Sequence, residues 1–410
     1  MSERTALEYD PAAPNGHRLS PAIYALALGV FLMGTTEFLI AGLLPAMAAD
    51  LEVSLAQAGQ LITVFAVGMI VGAPMMAVAT RRIARRWTLI GALVVFAAGH
   101  LVAAFAPSFA VLGAARFITA LATGAFWAVA AVVATSLAAP GTSSRAVGVV
   151  NAGGMLATVL GVPLGALAGQ LFSWRGAFVG LAVLAAATVA LIARQVPHQR
   201  PPRRPGPIRS ELRALRSGRL WLALAGCAGA TGGVLAAYSY ISPLLTENFA
   251  MPASLVPLVL AAFGVGSLLG SLFGGRLGDA RPHTTTIIAP AVTVLLLVAL
   301  MLCSDAPVIA TLLITLLGLF GLGANPVLIS LAVRYADRAP TLGSALSVAA
   351  FNAGTALASW AGGRALETSA GTNGPLMVGA LIAALALVPV IALAITQRRR
   401  SGAPSSAARS

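Results

Sequence analysis

Three side chains able to carry or pass a charge lie inside otherwise apolar runs of this sequence: Glu37, His100 and Arg116. Glu37 interrupts residues 22–48, AIYALALGVFLMGTTEFLIAGLLPAMA. That stretch exceeds the roughly 20 helical residues that cross a hydrocarbon core of about 30 Å. An ionised acid at such depth costs on the order of 2.5 to 3.5 kcal/mol, so it faces a bundle interior or a wet cavity and its default reading is functional. The alternative is a protonated carboxyl that bonds a neighbouring helix. Counted from the outer ends of their runs, Glu37 is about 10 residues deep and Arg116 about 8, so both sit roughly 10 to 15 Å below one surface. Opposite charges at one depth can share a cavity, and a motion that alters their separation would load and release a proton. His100 reaches a similar depth, where it can relay protons or make a local hydrogen bond.

Around these groups the sequence offers a polar lining. Arg116, Thr119, Thr123 and Trp127 recur at steps of three and four and therefore share one helix face. Tyr238, Tyr240, Asn325 and Asn352 are the matching contributions expected from the second half of the chain. Aromatic residues also form interfacial belts or simply pack, and the sequence leaves that alternative open.

The elements that must position these residues are membrane helices. The 410 residues are 58% hydrophobic and only 9% charged, whereas a soluble domain carries about 25% charged residues. Apolar runs follow the first near 57–79, 88–106, 109–137, 145–170 and 176–193, and six more lie near 220–245, 253–277, 284–304, 307–332, 342–366 and 375–396. The expected organisation is a tail over 1–20, a six-helix bundle over 21–193, an Arg/Pro-rich linker over 194–219, a second six-helix bundle over 220–396 and a tail over 397–410. The first tail lacks the pattern of a removable signal peptide. The formal charge of +14 is carried by arginine alone, because the sequence contains no lysine. That removes phosphate-loop, Schiff-base and pyridoxal chemistry, each of which needs a lysine amine.

Placing the first tail in the cytoplasm assigns Arg81, Arg82, Arg85, Arg86, Arg145, the linker, Arg276, Arg281, Arg334, Arg338 and Arg398 to Arg400 to the same side, and leaves only Arg175 and Arg364 opposite. This is the positive-inside bias, so both termini are expected to be cytoplasmic and the arginines to be headgroup anchors, without nucleic-acid binding. Cys227 and Cys303 lie in apolar runs and read as small core residues. No cofactor or metal is expected.

An internal repeat appears at an offset near 200 residues: Asn151-Ala152-Gly153 recurs as Asn352-Ala353-Gly354, and AVATRRIARR from Ala77 stands opposite GRLGDARP from Gly275. Two halves related by repetition, with a site at the midplane between them, is a common transporter plan. Glycine spacing says which helices touch. Gly153, Ala157, Gly161, Gly165 and Gly169 fall every fourth residue, as do Gly266, Gly270, Gly274 and Gly278, and such ridges let helix backbones approach closely. Pro163 and Pro326 mark expected kinks.

On these residues the sequence resembles the major facilitator superfamily, in particular its twelve-helix drug:proton antiporters and, among them, actinobacterial chloramphenicol exporters. The segments that carry the resemblance are GTTEFLIAGLLP, FAVGMIVGAP, LGAARFITALATG, GVPLGALAG with Trp174-Arg175, FGVGSLLGSLFGGRLGDARP and YADRAPTLG. The resemblance implies an all-α membrane protein of twelve transmembrane helices in two six-helix bundles, with no enzymatic activity. It implies proton coupling at Glu37 and Arg116 and an antiport motif at Gly161 and Pro163. It implies a gating loop at Arg82, Arg85 and Arg86, with a second copy at Gly275, Arg276 and Asp279. In the first copy Ala77, Arg81 and Ala84 replace the usual aspartate and glycines, so the second copy, with Asp279, is expected to carry most of the latch. The expected protein is a monomeric carrier of the inner (plasma) membrane, exchanging protons for a small amphiphilic drug. Export of sugars or nucleosides is the alternative use of the same frame; the sparse, mostly apolar lining favours drugs.

Overall fold

A computed structural model describes residues 19–79, 83–138, 143–198, 213–303, 306–336 and 340–401, and among them the long elements are all helices. In chain order these are α1 (Pro21–Asp50), α2 (Leu55–Ala79), α3 (Arg85–Ala104), α4 (Phe109–Leu137), α5 (Ser143–Leu156), α6 (Val162–Gln195) and α7 (Gly218–Ser239). There follow α8 (Val256–Ala280), α9 (Pro282–Leu302), α10 (Pro307–Gly323), α11 (Asn325–Tyr335), α12 (Pro340–Leu366) and α13 (Asn373–Ser401). Serines open several of them: Ser108 and Ser217 accept from the backbone N–H three residues on, satisfying donors that the first turn leaves free.

Among the described residues eleven stretches are long and apolar enough to cross a membrane, and one of them, Arg145–Gln195, is 51 residues long. At 1.5 Å per residue a straight helix of that length would span about 75 Å, more than twice a bilayer core. The stretch turns back at Ser173, whose φ of 69° is not helical. Before the turn it runs alongside α1, with Gly165 against Leu39 and Gly169 against Leu43; after it, Trp174 sits at Asp50 and Arg86 at the other end of α3 donates to the carbonyl of Ala193. It is therefore two crossings. In the other direction, α10 and α11 make one crossing broken at Ala324, just before Pro326. Among the described residues the total is the twelve expected.

Both proline positions mark real departures from α-helix. Pro163 follows a π-helical turn, Ala157–Gly161, that separates α5 from α6. The end of the molecule that holds residues 19, 198, 213 and 401 is called proximal here, and the opposite end distal.

The glycine ridges sit at the tightest helix contacts. Side-chain carbons at Gly266, Gly270 and Gly274 would collide with the backbone carbonyls of Thr315, Leu319 and Gly323, so α8 and α10 lie backbone to backbone. The ridge through the fifth crossing packs on α1 in the same manner, and there Gly153 meets the carbonyl of Ala27 and Gly161 the hydroxyl of Thr35. The repeat is visible in three dimensions: Gly354 meets the carbonyl of Ala228 just as Gly153 meets that of Ala27, and the two pairs are displaced by the same interval along the chain.

The two bundles touch mainly along two seams, α2 against α12 and the fifth crossing against α8. Toward the distal end these seams are closed by Ser359 Oγ donating to the carbonyl of Gly59 at 3.1 Å, Ser54 donating to Glu367 at 3.3 Å and Gln170 donating to the carbonyl of Ala253 at 2.7 Å, and the Tyr240 hydroxyl, bonded within its own bundle to the carbonyl of Ser359 at 2.8 Å, fills the space that a side chain at Gly59 would need. At the proximal end Arg276 and Asp279 are exposed, and a side chain added at Gly275 would meet nothing.

Candidate functional site

Glu37 lies on α1 where that helix borders the second bundle. It lines a cavity of about 10 Å³ together with Phe38, Ala41, Ile62, Leu235, Tyr238, Ser239 and Thr355, about the room one water needs. The walls come from α1 and α2 on one side and α7 and α12 on the other. The carboxylate therefore faces the midline between bundles and not the lipid. Phe38 and Tyr238 meet edge to face with ring centroids 6.0 Å apart, and Tyr238 packs in turn on Phe263 at 4.4 Å.

Arg116 does not share that cavity. It is 1% exposed, inside the first bundle, with its guanidinium 4.1 Å from the centre of the Phe65 ring and Nη1 donating to Thr36 Oγ1 at 2.8 Å. Its Nε and Nη2 are buried without an acceptor. The chamber expected to hold acid and guanidinium together is thus replaced by two adjacent compartments, with Thr36 and Glu37, consecutive on α1, pointing into one each. The carboxyl and the guanidinium remain within Coulombic reach of one another but form no ion pair. The cause is local: a ring face and a hydroxyl occupy the guanidinium.

His100 completes the inner compartment. Its Nδ1 is 2.8 Å from the carbonyl of Phe96 and its Nε2 is 2.8 Å from Thr36 Oγ1, while Phe96 and Phe178 flank the ring at 4.0 and 5.6 Å. A carbonyl can only accept, so Nδ1 carries the proton. Nε2 of the neutral ring then accepts from the Thr36 hydroxyl, which itself accepts from Arg116. From Arg116 Nη1 through Thr36 and His100 to the carbonyl of Phe96 each bond runs from a donor to an acceptor.

The expected lining residues divide. Tyr238 lines the Glu37 cavity. Thr119 and Thr123 are buried within the first bundle, where their hydroxyls bond back to the carbonyls of Arg116 and Thr119 at 2.9 and 2.8 Å and Thr123 also reaches the sulfur of Met33. Trp127 is half-buried beside Gly154 of α5, with its Nε1 buried and unpartnered. Tyr240 belongs to the distal seal. Asn325 accepts from Thr231 at 3.5 Å, and Asn352 bonds the carbonyl of Val348 at 3.0 Å while its Oδ1 is buried without a partner. The common reason is that threonine and asparagine in a helix satisfy themselves on the preceding turn, so a polar stripe need not face a cavity.

Of the gating-loop residues, Arg82 lies outside the described residues. Arg86 bonds the carbonyl of Ala193 and lies 5.9 Å from the Trp87 ring, so it fastens α3 to the end of α6; Arg85 opens α3. The two arginines placed against the overall bias are both matched with acids. Arg175 pairs with Asp50 at 2.9 Å, bonds the carbonyls of Ala104 and Ala106 and stacks 4.4 Å from Trp174, and Arg364 pairs with Glu367 at 3.4 Å. Sequence reasoning missed Thr36 and Phe65. Thr36 could have been suspected from its place directly before the acid in GTTEF; nothing marks Phe65 among the other apolar residues of α2.

Comparison with known proteins fits this architecture. The family model described as Major Facilitator Superfamily matches residues 26–244 and 224–410. A chloramphenicol resistance protein of Streptomyces lividans is 35% identical over 89% of this chain and 94% of its own length. The inner membrane transport protein YdhP of Escherichia coli is 32% identical over 91% of this chain and 96% of its own. A solved structure of a bacterial homologue of the human lysosomal transporter Spinster superposes with a TM-score of 0.71 at 14% identity, covering 92% of this chain and 97% of that one, which shows the fold. With its twelve crossings, its two repeated bundles and these relatives, the chain belongs to the Major Facilitator Superfamily and is a multi-pass membrane transporter.

Proposed function

We propose that this transporter is a proton-coupled antiporter that expels a small amphiphilic drug of the chloramphenicol kind from the cytoplasm across the plasma membrane. The observation that carries the reading is Glu37: an acid without an ion-pair partner, facing the midline between the bundles, with a buried arginine in Coulombic reach on its other side. In the arrangement described the cavity holds no more than a water, but its walls, Phe38, Ile62, Leu235 and Tyr238 with the hydroxyls of Ser239 and Thr355, suit an amphiphilic drug once the bundles part. The similarity to a chloramphenicol resistance protein supports the drug class. The arginine asymmetry supports cytoplasmic termini, so the closed distal end is the external one and the route to the cavity runs from the cytoplasm.

The energetics permit export. One proton crossing ~100 mV supplies about 2.3 kcal/mol, and a pH difference of one unit adds about 1.4 kcal/mol. Together they sustain a gradient of a few hundredfold, roughly, for a neutral drug. The mechanism is alternating access: the acid takes a proton when the cavity opens outward and yields it inward, and the drug travels the other way. The test is Glu37→Gln. The variant is expected to insert and melt like the parent yet leave chloramphenicol accumulation in cells at the level of cells lacking the gene. Export equal to the parent's, abolished by collapse of the proton gradient, would refute the role given to Glu37.

A further inference from the structure

We propose that Thr36 is a positioning residue that decides whether Arg116 pairs with Glu37, and that His100 sets Thr36 for this task. The inference rests on the coupling role proposed above for Glu37. It is carried by three hydrogen bonds of 2.8 Å that run in one direction, from Arg116 through Thr36 and His100 to the carbonyl of Phe96. It is carried also by the two guanidinium nitrogens, Nε and Nη2, whose N–H groups are left buried without an acceptor.

A threonine hydroxyl in a membrane helix ordinarily donates to its own preceding turn, as Thr35 does to Phe31. Thr36 does not: its proton goes to Nε2 of His100, which turns the hydroxyl away from its own preceding turn while its oxygen accepts from Arg116. The imidazole is fixed in turn by its backbone bond and by the rings of Phe96 and Phe178 on either side. Arg116 is thereby held on the inner side of α1, over Phe65, while the neighbouring residue, Glu37, stands about 100° further round the helix and faces the other bundle.

The two acceptors compete. In the arrangement described, with the distal end sealed, the hydroxyl has the guanidinium and Glu37 has no counter-ion. Turning or sliding α1 relative to α4 while the distal end stays sealed exchanges Thr36 for Glu37 before the guanidinium. The acid then gives its proton to water, the guanidinium keeps its own protons, and the unfilled N–H groups gain a carboxylate. One proton leaves per exchange and no other bond is made or broken. A threonine that served only to pack the helices would leave the state of Glu37 untouched.

The test reads Glu37 directly, without a transport substrate. The purified full-length protein is treated with a hydrophobic carbodiimide, which modifies protonated, unpaired carboxyl groups in apolar surroundings, and adduct at Glu37 is quantified by peptide mass spectrometry. The parent is expected to label at Glu37. Thr36→Val, which keeps the shape and deletes the acceptor, is expected to lose at least about tenfold of that labelling as Arg116 moves to the acid. Thr36→Ser is expected to label like the parent, and Thr36→Val with Arg116→Gln to regain it. Thr36→Ala gives the same reading if valine impairs folding. Labelling unchanged in both Thr36→Val and Thr36→Ala, or absent from the parent, overturns the proposal. If labelling follows this pattern while Glu37→Gln still exports drug normally, the positioning role stands and the coupling reading falls.

Discussion

The two bundles share one packing scheme and differ in chemistry. Gly153 on Ala27 in the first and Gly354 on Ala228 in the second are the same contact displaced along the chain. The same displacement carries Thr36, Glu37, His100 and Arg116 onto Ala237, Tyr238, Met301 and Leu317. Every group that can hold a charge in the first bundle's interior is thus replaced by an apolar or phenolic one in the second, and Glu37 and Tyr238 face the same cavity from opposite sides. The second bundle keeps neutral polar groups instead, with Thr231, Asn325 and Asn352 bonded to one another or to their own backbone. The lesson is that helix approach and buried ionisable groups are separable: small residues set the first in both halves, and the second lie in the interior of one half alone.

The sharpest way to break this comparison is to exchange equivalent positions. Arg116→Ala is expected to abolish proton-driven uptake of chloramphenicol by everted vesicles while the protein still inserts. Leu317→Ala, at the equivalent site, is expected to cost about 2 to 5 kcal/mol of stability through the cavity it leaves and to spare coupling in the molecules that fold. Coupling lost equally in both would mean that the halves divide the work.

Next in size are the shared contacts. Gly153→Val and Gly354→Val each push a side chain into a backbone carbonyl, and each is expected to destabilise by about 1 to 3 kcal/mol, read as similar drops in melting temperature in detergent. A large drop in one with none in the other would show that the packing repeat is not functional in both halves. Tyr238→Phe should be milder: with its ring retained against Phe38 and Phe263 and only the hydroxyl lost, coupling is expected to persist and drug resistance to change by no more than about tenfold, the factor that corresponds to ~1.4 kcal/mol. The smallest effects belong to the distal ion pairs. Asp50→Asn and Glu367→Gln are expected to change stability by about 0 to 1 kcal/mol each, because the paired side chains are substantially exposed.

Much of the fold was legible because a bilayer permits few solutions. Each crossing needs about 20 apolar residues, and the break between runs at 171–175 coincides with the reversal at Ser173. The glycine ridges marked helices that pack closely, though not the partners they pack on, and Pro163 and Pro326 marked the places where the α-helix gives way. The site was legible only in part. Depth along a helix follows from counting, so Glu37, His100 and Arg116 were placed at one level; direction around the helix depends on how neighbours are rotated, which counting does not supply. That is why Thr119 and Thr123, on the face of Arg116, were expected in a cavity and instead point into the first bundle. Thr36 was passed over because a threonine costs little in an apolar run, and its importance comes entirely from Arg116 and His100, far away in sequence.

The most direct test of the account is proton movement itself. In proteoliposomes loaded with a pH-sensitive dye, an outwardly directed chloramphenicol gradient imposed without any other driving force should move protons inward through the parent protein and not through Glu37→Gln. Proton movement of equal size in both, or drug flux through the parent with no change in dye signal, would contradict the claim that this acid exchanges a proton for the drug.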